Sequence, residues 1–106
     1  MNPDHRRQIE IYLALAREFA LERGDGASFR RQFMHAFKQD QRRYDPRVGD
    51  LLMELFNDAE CHQPDPKLLK ELQRRDASLY IDEPTLRLRA KSFIEGAEAL
   101  LRADPA

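Results

Sequence analysis

The sequence holds a single cysteine, Cys61, in 106 residues. One thiol cannot close an internal disulfide, so no covalent staple is present, and such cysteine usage fits a reducing compartment. Valine and threonine occur once each, as Val48 and Thr85, which leaves little of the β-branched material that sheets are built from. Only Leu86–Lys91 alternates apolar and polar residues as a strand would, and it lies inside a longer helical pattern. No run approaches the ~20 apolar residues of a membrane span. Met1–Arg7 leads into charged amphipathic sequence rather than a secretory signal. The sequence reads as a cytoplasmic protein with no membrane association.

Catalytic constellations are missing too. The three histidines, His5, His35 and His62, form no His-x-x-x-His pair, and one cysteine allows no Cys-x-x-Cys, so a zinc site would need ligands gathered from distant points. These residues read as ordinary surface or boundary histidines. Cys61 and His62 are neighbours, but adjacent side chains on a helix point about 100° apart and cannot work as nucleophile and base; Cys61 reads as a small buried thiol at a helix end. Gly24-Asp25-Gly26 lacks the third glycine and the preceding strand of a phosphate loop. No glutamate is followed three residues later by histidine, as a helical di-metal centre requires. The sequence therefore points to a protein that binds rather than catalyses, with no cofactor and no metal.

What is present is helical periodicity. Helix 1 is predicted from Pro3 to about Arg23, capped by Asn2, with Ile9, Tyr12, Leu13, Ala16 and Ala20 on one face and Ile11, Leu15 and Phe19 widening it. So broad an arc would serve two neighbouring helices or a partner, a second copy of the chain included. Gly24-Asp25-Gly26 ends it. Helix 2 is predicted from Phe29, capped by Ser28, to about Arg43, with Phe29, Phe33, Ala36 and Phe37 as its stripe. Asp40 continues that stripe, so it needs a hydrogen-bonding or cationic partner. Asp45-Pro46 opens helix 3, which should end near Cys61 and bury Val48, Leu52, Leu55, Phe56 and Ala59. Gln63-Pro64-Asp65-Pro66 must be loop, with room for a short helix over Lys67–Arg74. Helix 4 starts at Asp82-Glu83-Pro84 and reaches about Arg102, burying Leu86, Ala90, Phe93, Ile94, Ala97, Leu100 and Leu101 and exposing Leu88. The expected fold is all-α: one domain over residues 1–106, an antiparallel bundle of four main helices with a short extra one.

The net charge is -1, but it is unevenly spread. Residues 1–47 carry 10 basic and 7 acidic residues, and residues 67–106 carry 8 and 7. Residues 48–66 carry no Lys or Arg and five acids, Asp50, Glu54, Asp58, Glu60 and Asp65. Asp50, Glu54 and Asp58, spaced by four, form one helical stripe, and Asp82 and Glu83 follow at the next helix start. Such carboxylates are either solvated face and helix caps or imitations of nucleic-acid phosphates that fill a basic cleft on a partner. Exposed apolar groups such as Leu79 or Leu88 would anchor the rim of such an interface. Against the acids stand the pairs Arg6-Arg7, Arg30-Arg31, Arg42-Arg43 and Arg74-Arg75, with Tyr44 beside the third. They offer an alternative, a small helical nucleic-acid-binding or regulatory protein, but acids are interleaved throughout and a phosphate-neutralising domain would normally be basic.

From helix 2 onward a more specific pattern runs through the chain. It comprises Phe29, Phe33 and Phe37, then Asp40-Gln-Arg-Arg-Tyr44, Glu54-Leu-Phe56 with Ala59 and Glu60, Pro64-Asp65, and Tyr80-Ile-Asp-Glu83 with Leu86. In these residues the chain resembles the colicin D immunity family and related immunity proteins of contact-dependent inhibition systems. The resemblance implies a small helical bundle that binds the C-terminal nuclease domain of a toxin. In the colicin D branch a tRNase is blocked by acidic side chains placed in its basic active site. The positions it carries over are Glu60, Asp65, Asp82 and Glu83; Asp50, Glu54 and Asp58 join them from the acidic stripe alone. Helix 1 is longer than the pattern, which has no match before Phe29, and Lys67–Arg75 is an additional basic stretch. The implied partner is a toxin nuclease domain rather than nucleic acid itself.

Overall fold

The computed structural model describes residues 3–40, 45–76 and 80–103. Among these residues the structure is all-helical, with five helices: α1 (Pro3–Ala20), α2 (Gly26–Gln39), α3 (Pro46–Glu60), α4 (Pro66–Arg75) and α5 (Glu83–Ala103). The four long helices share one core, to which α1 gives Ile9, Tyr12, Leu13, Ala16 and Phe19, α2 gives Phe29 and Phe33, α3 gives Val48, Leu52, Leu55 and Ala59, and α5 gives Leu86, Ala90, Phe93 and Ala97. The short helix α4 stays outside this cluster and buries only Leu69. No described helix is long and apolar enough to cross a membrane.

Polar contacts set the direction of neighbouring helices. Arg6, near the start of α1, donates to the carbonyl of Leu101 at the end of α5, while Arg87, near the start of α5, donates to the carbonyl of Phe19 at the end of α1. The two helices therefore run in opposite directions. So do α1 and α2: Gln8 and Tyr12 both donate to the carboxylate of Asp40, and Phe19 stacks on Phe29 with ring centroids 4.6 Å apart. The partner that the sequence demanded for Asp40 is thus a pair of α1 side chains, both essentially buried. Where α3 crosses α5, Gly96 lets them close up: a Cβ there would come to 3.0 Å from Leu51 Cδ2.

Several boundaries differ from the sequence reading. α1 stops at Ala20 because Glu22 turns into the left-handed region, φ 61°. Arg23 N–H then donates to the Glu18 carbonyl and Glu22 N–H to that of Phe19, the paired bonds of a Schellman ending, here with glutamate where glycine is usual. α2 is capped by Asp25, whose carboxylate accepts from Ser28 N–H at 2.8 Å, so it begins three residues before Phe29 and Ser28 lies inside it. It ends at Gln39. Asn2, Arg42, Arg43, Tyr44 and Leu79, to which the sequence reading gave roles, lie outside the described residues. Phe19 is central rather than flanking, because Phe29 covers one side of its ring and the Arg87 guanidinium lies 4.7 Å from its centroid. α3 starts and ends as expected, and Leu88 is exposed.

Candidate functional site at the meeting of four helix ends

The end of α3 and the starts of α2, α4 and α5 meet at one end of the core. Cys61 and Gln63 exchange two backbone hydrogen bonds with Ile81, which pins the residues after α3 beside those before α5. Gln73 of α4 donates to the Tyr80 carbonyl at 3.1 Å. The Glu83 carboxylate accepts from Gly26 N–H, tying α5 to the first residue of α2. Arg87 completes the junction by donating to the carbonyls of Phe19 and Gly24 and to Glu83. Each of the three helix starts carries an aspartate that uses one oxygen as a cap: Asp25 for α2, Asp65 for α4 and Asp82 for α5. Those hydrogen bonds hold the carboxyls of Asp25 and Asp82 below the usual carboxylate range.

Between these ends opens a cleft of about 550 Å³. Pro64, Pro66, Leu69 and Pro84 make its apolar walls, and Asp25, Asp82, Glu83 and Lys70 supply its charges. His62 also lines it, with only 4% of its surface exposed and with neither ring nitrogen hydrogen-bonded. Its ring sits against the backbone of Gly26, where a Cβ would come within 2.7 Å of both Cε1 and Nε2. Burial pushes the imidazole below its ordinary pKa, and the Glu83 carboxylate opposes that in part. On the far side of Ala27 and Pro64, His62 borders a second depression of about 330 Å³, flanked by Arg30, Arg31 and Met34. The reading of all three histidines as surface or boundary residues is therefore corrected for His62: the turn after α3 folds it beneath the start of α2. His35 is exposed and His5 half-buried.

The predicted acids fall into two groups. Asp50 and Glu54 are exposed along α3, and Asp58, one turn further on, is half-buried. Glu54 and Asp58 flank a narrow groove between α3 and α5, facing Arg89. Burial raises the Asp58 carboxyl, Arg89 lowers it, and the neighbouring Glu54 charge raises it again. In the second group, Glu60 is exposed at the last residue of α3, Asp65 is exposed at the α4 cap, and Asp82 and Glu83 line the large cleft. Asp82 and Glu83 thus bear on the architecture as well as the surface, since one caps α5 and the other joins it to α2. The sequence reading missed Asp25 and His62. The signal for Asp25 was available in Asp25-Gly-Ala-Ser28, a capping aspartate three residues before an N–H it accepts from; nothing local marked His62 for burial.

Among the described residues no three His, Cys, Asp or Glu side chains converge to hold a metal. What fold and site define is a small helical protein with carboxylates exposed along α3 and gathered around one cleft. The chain belongs to the bacterial self-protective colicin-like immunity family, whose model matches residues 8–95. The match begins inside α1, so it extends the resemblance toward the N-terminus from Phe29 and takes in α4, which the sequence pattern left as an addition. No curated protein and no solved structure matches the chain.

Proposed function

We propose that the chain is the immunity partner of a colicin D-like or contact-dependent inhibition toxin, and that it neutralises the toxin's nuclease domain, a tRNase, by occupying its basic active site. It acts without catalysis, in the cytoplasm of the cell it protects, as one domain whose four long helices form an antiparallel bundle. The observation that carries this reading is the uninterrupted acidic stretch 48–66, which the fold leaves largely turned outward: Asp50, Glu54, Glu60 and Asp65 are all exposed. An enzyme that cuts RNA presents cationic groups to phosphates, and a rigid array of carboxylates competes for those groups. Opposed charge patterns speed encounter and fix register, while charge-assisted hydrogen bonds at a desolvated centre supply most of the affinity. Asp82, also exposed, and the half-buried Asp58 and Glu83 would add to the array, and Leu88, 61% exposed, is an apolar anchor at hand.

The direct experiment mixes the chain with the nuclease domain encoded beside it and follows tRNA cleavage. Stoichiometric protein should abolish cutting; undiminished cutting would remove the reading. A second reading, a nucleic-acid binder, has one observation in its favour, the exposed Arg30 and Arg31 at the edge of the smaller depression. Salt-sensitive retention of RNA by the isolated chain would support it. A homodimer through α1, where Ile11 is 49% exposed, would show in the mass of the free protein in solution.

A further inference from the structure

The cleft at the helix ends has a property that an acidic surface alone does not explain. His62 is buried at its wall and makes no hydrogen bond through either ring nitrogen. Native proteins rarely leave buried polar groups without a partner, because such a group has given up its hydrogen bonds to water for nothing in return. We infer that the cleft is a socket for one arginine side chain of the toxin, whose guanidinium enters between Asp25 and Asp82, beside the Glu83–Arg87 pair, and donates to a ring nitrogen of His62. The inference rests on the toxin-binding reading above but reverses its geometry: here the partner's side chain inserts into this chain.

Four features select that occupant. The charged groups on the lining are three carboxylates and the single ammonium of Lys70, so a cation is favoured over an anion. Asp25 and Asp82 are both exposed, and each turns Oδ1 to a helix cap, so the outer side of each carboxylate is within reach of a partner. The planar guanidinium fork can reach two carboxylates and a third acceptor at once, and it sheds water more readily than an ammonium. The apolar walls suit the methylene stem, and about 550 Å³ lies within the range of pockets that enclose small organic groups. His62 suits the acceptor role because burial favours its neutral form, which keeps one lone pair at neutral pH.

The test uses the full chain with the His62 ring followed by proton–carbon NMR near neutral pH. The probe is a capped arginine, N-acetyl-arginine methylamide, and the control its neutral isostere, the capped citrulline. The arginine probe should shift the His62 Cε1–H signal and the Gly26 amide saturably by roughly 50 mM, where a millimolar site is nearly full. The citrulline probe should bind at least about tenfold more weakly, because it lacks the charge. Ala27→Phe, which fills the mouth from a half-buried position, should abolish the response with the rest of the spectrum intact. No saturable shift with arginine, or an equal one with citrulline, overturns the socket. With the toxin domain in hand, Ala27→Phe and His62→Leu, which has no acceptor, should each weaken binding about tenfold or more. If the wild-type chain blocks the nuclease and both variants block it equally well, the socket is wrong and the immunity reading stands. If the wild-type chain blocks nothing, the immunity reading falls and the probe titration alone judges the socket.

Discussion

Replacing Asp40 by alanine should be among the most destabilising single changes in the protein, although Asp40 is a half-buried acid just past a helix end. Its carboxylate accepts from Gln8 Nε2 and from Tyr12 Oη, the latter at 3.0 Å. Both donors are about 1% exposed, so neither can turn to water when the acceptor goes. Hydrogen bonds to a charged group contribute roughly 1.5–3 kcal/mol each, and an orphaned buried donor costs a similar amount. Gln8 Oε1 is already buried without a partner, so losing Asp40 removes the hydrogen bond that satisfies the amide's other end. Tyr12 has a long fallback, the Ala36 carbonyl at 3.5 Å. The loss should therefore be about 2–4 kcal/mol, a large share of a small domain's margin. Asp40→Asn, which keeps one acceptor oxygen and forfeits the charge, should lose about half as much. Urea unfolding followed by circular dichroism measures both. Replacing Gln8 by leucine in the Asp40→Ala background should recover part of the loss by removing an orphaned group. A loss below about 1 kcal/mol for Asp40→Ala would refute the claim that this contact locks α1 to α2.

Other expectations follow from single residues. Glu22→Gly should stabilise the protein by about 0.5–1 kcal/mol, because glutamate carries a steric penalty at φ 61° that glycine does not, less the extra freedom glycine has when unfolded; thermal melting reads the sign directly. Asp82→Ala should cost about 1 kcal/mol through the lost α5 cap, whereas Asp82→Asn should keep the cap and most of the stability while slowing association with the toxin, which separates its two roles. His62 titrates below its ordinary value of 6.5 in the fold, so the unfolded chain takes up the proton first. Its stabilising preference for the neutral form is therefore complete well above about pH 6.5 and is lost as pH falls through that range. Urea midpoints compared near pH 7.5 and pH 5.5 should show this loss, and His62→Gln should flatten it.

Much of the helical plan was legible because it is written in local terms. Asp45-Pro46 specifies a cap and a first turn that no distant contact has to supply, and α3 starts there. The stripes of α3 and α5 name their buried residues by spacing alone. Local signals failed where two of them competed. Asp25 and Ser28 are both good caps three residues apart, and Gly26 looks like a breaker. The structure chooses Asp25 because Gly26 must lie inside the helix, where its missing side chain admits the His62 ring and its N–H meets Glu83. That reason lies 36 and 57 residues further along the chain, out of reach of any window. The demand that Asp40 be partnered could be read from the stripe, but not that Gln8 and Tyr12 would answer it. The acidic residues were legible as a group, but that Asp82 and Glu83 would line a cleft apart from the α3 stripe was not, because it follows from how Cys61–Gln63 pairs with Ile81.

In the proposed mode of inhibition, the carboxylates of residues 50–65, most of them exposed, stand with Asp82 and Glu83 in place of a polyanion in the toxin's cationic site. The decisive measurement is stopped-flow association of the chain with the nuclease domain across a salt series. Asp58→Asn, Glu60→Gln and Asp65→Asn combined should lower the association rate at low salt by about tenfold or more and flatten its salt dependence. The triple variant should stay folded, since asparagine in place of Asp65 can still cap α4. A rate and a salt slope equal to those of the unchanged protein would place the interface on another face.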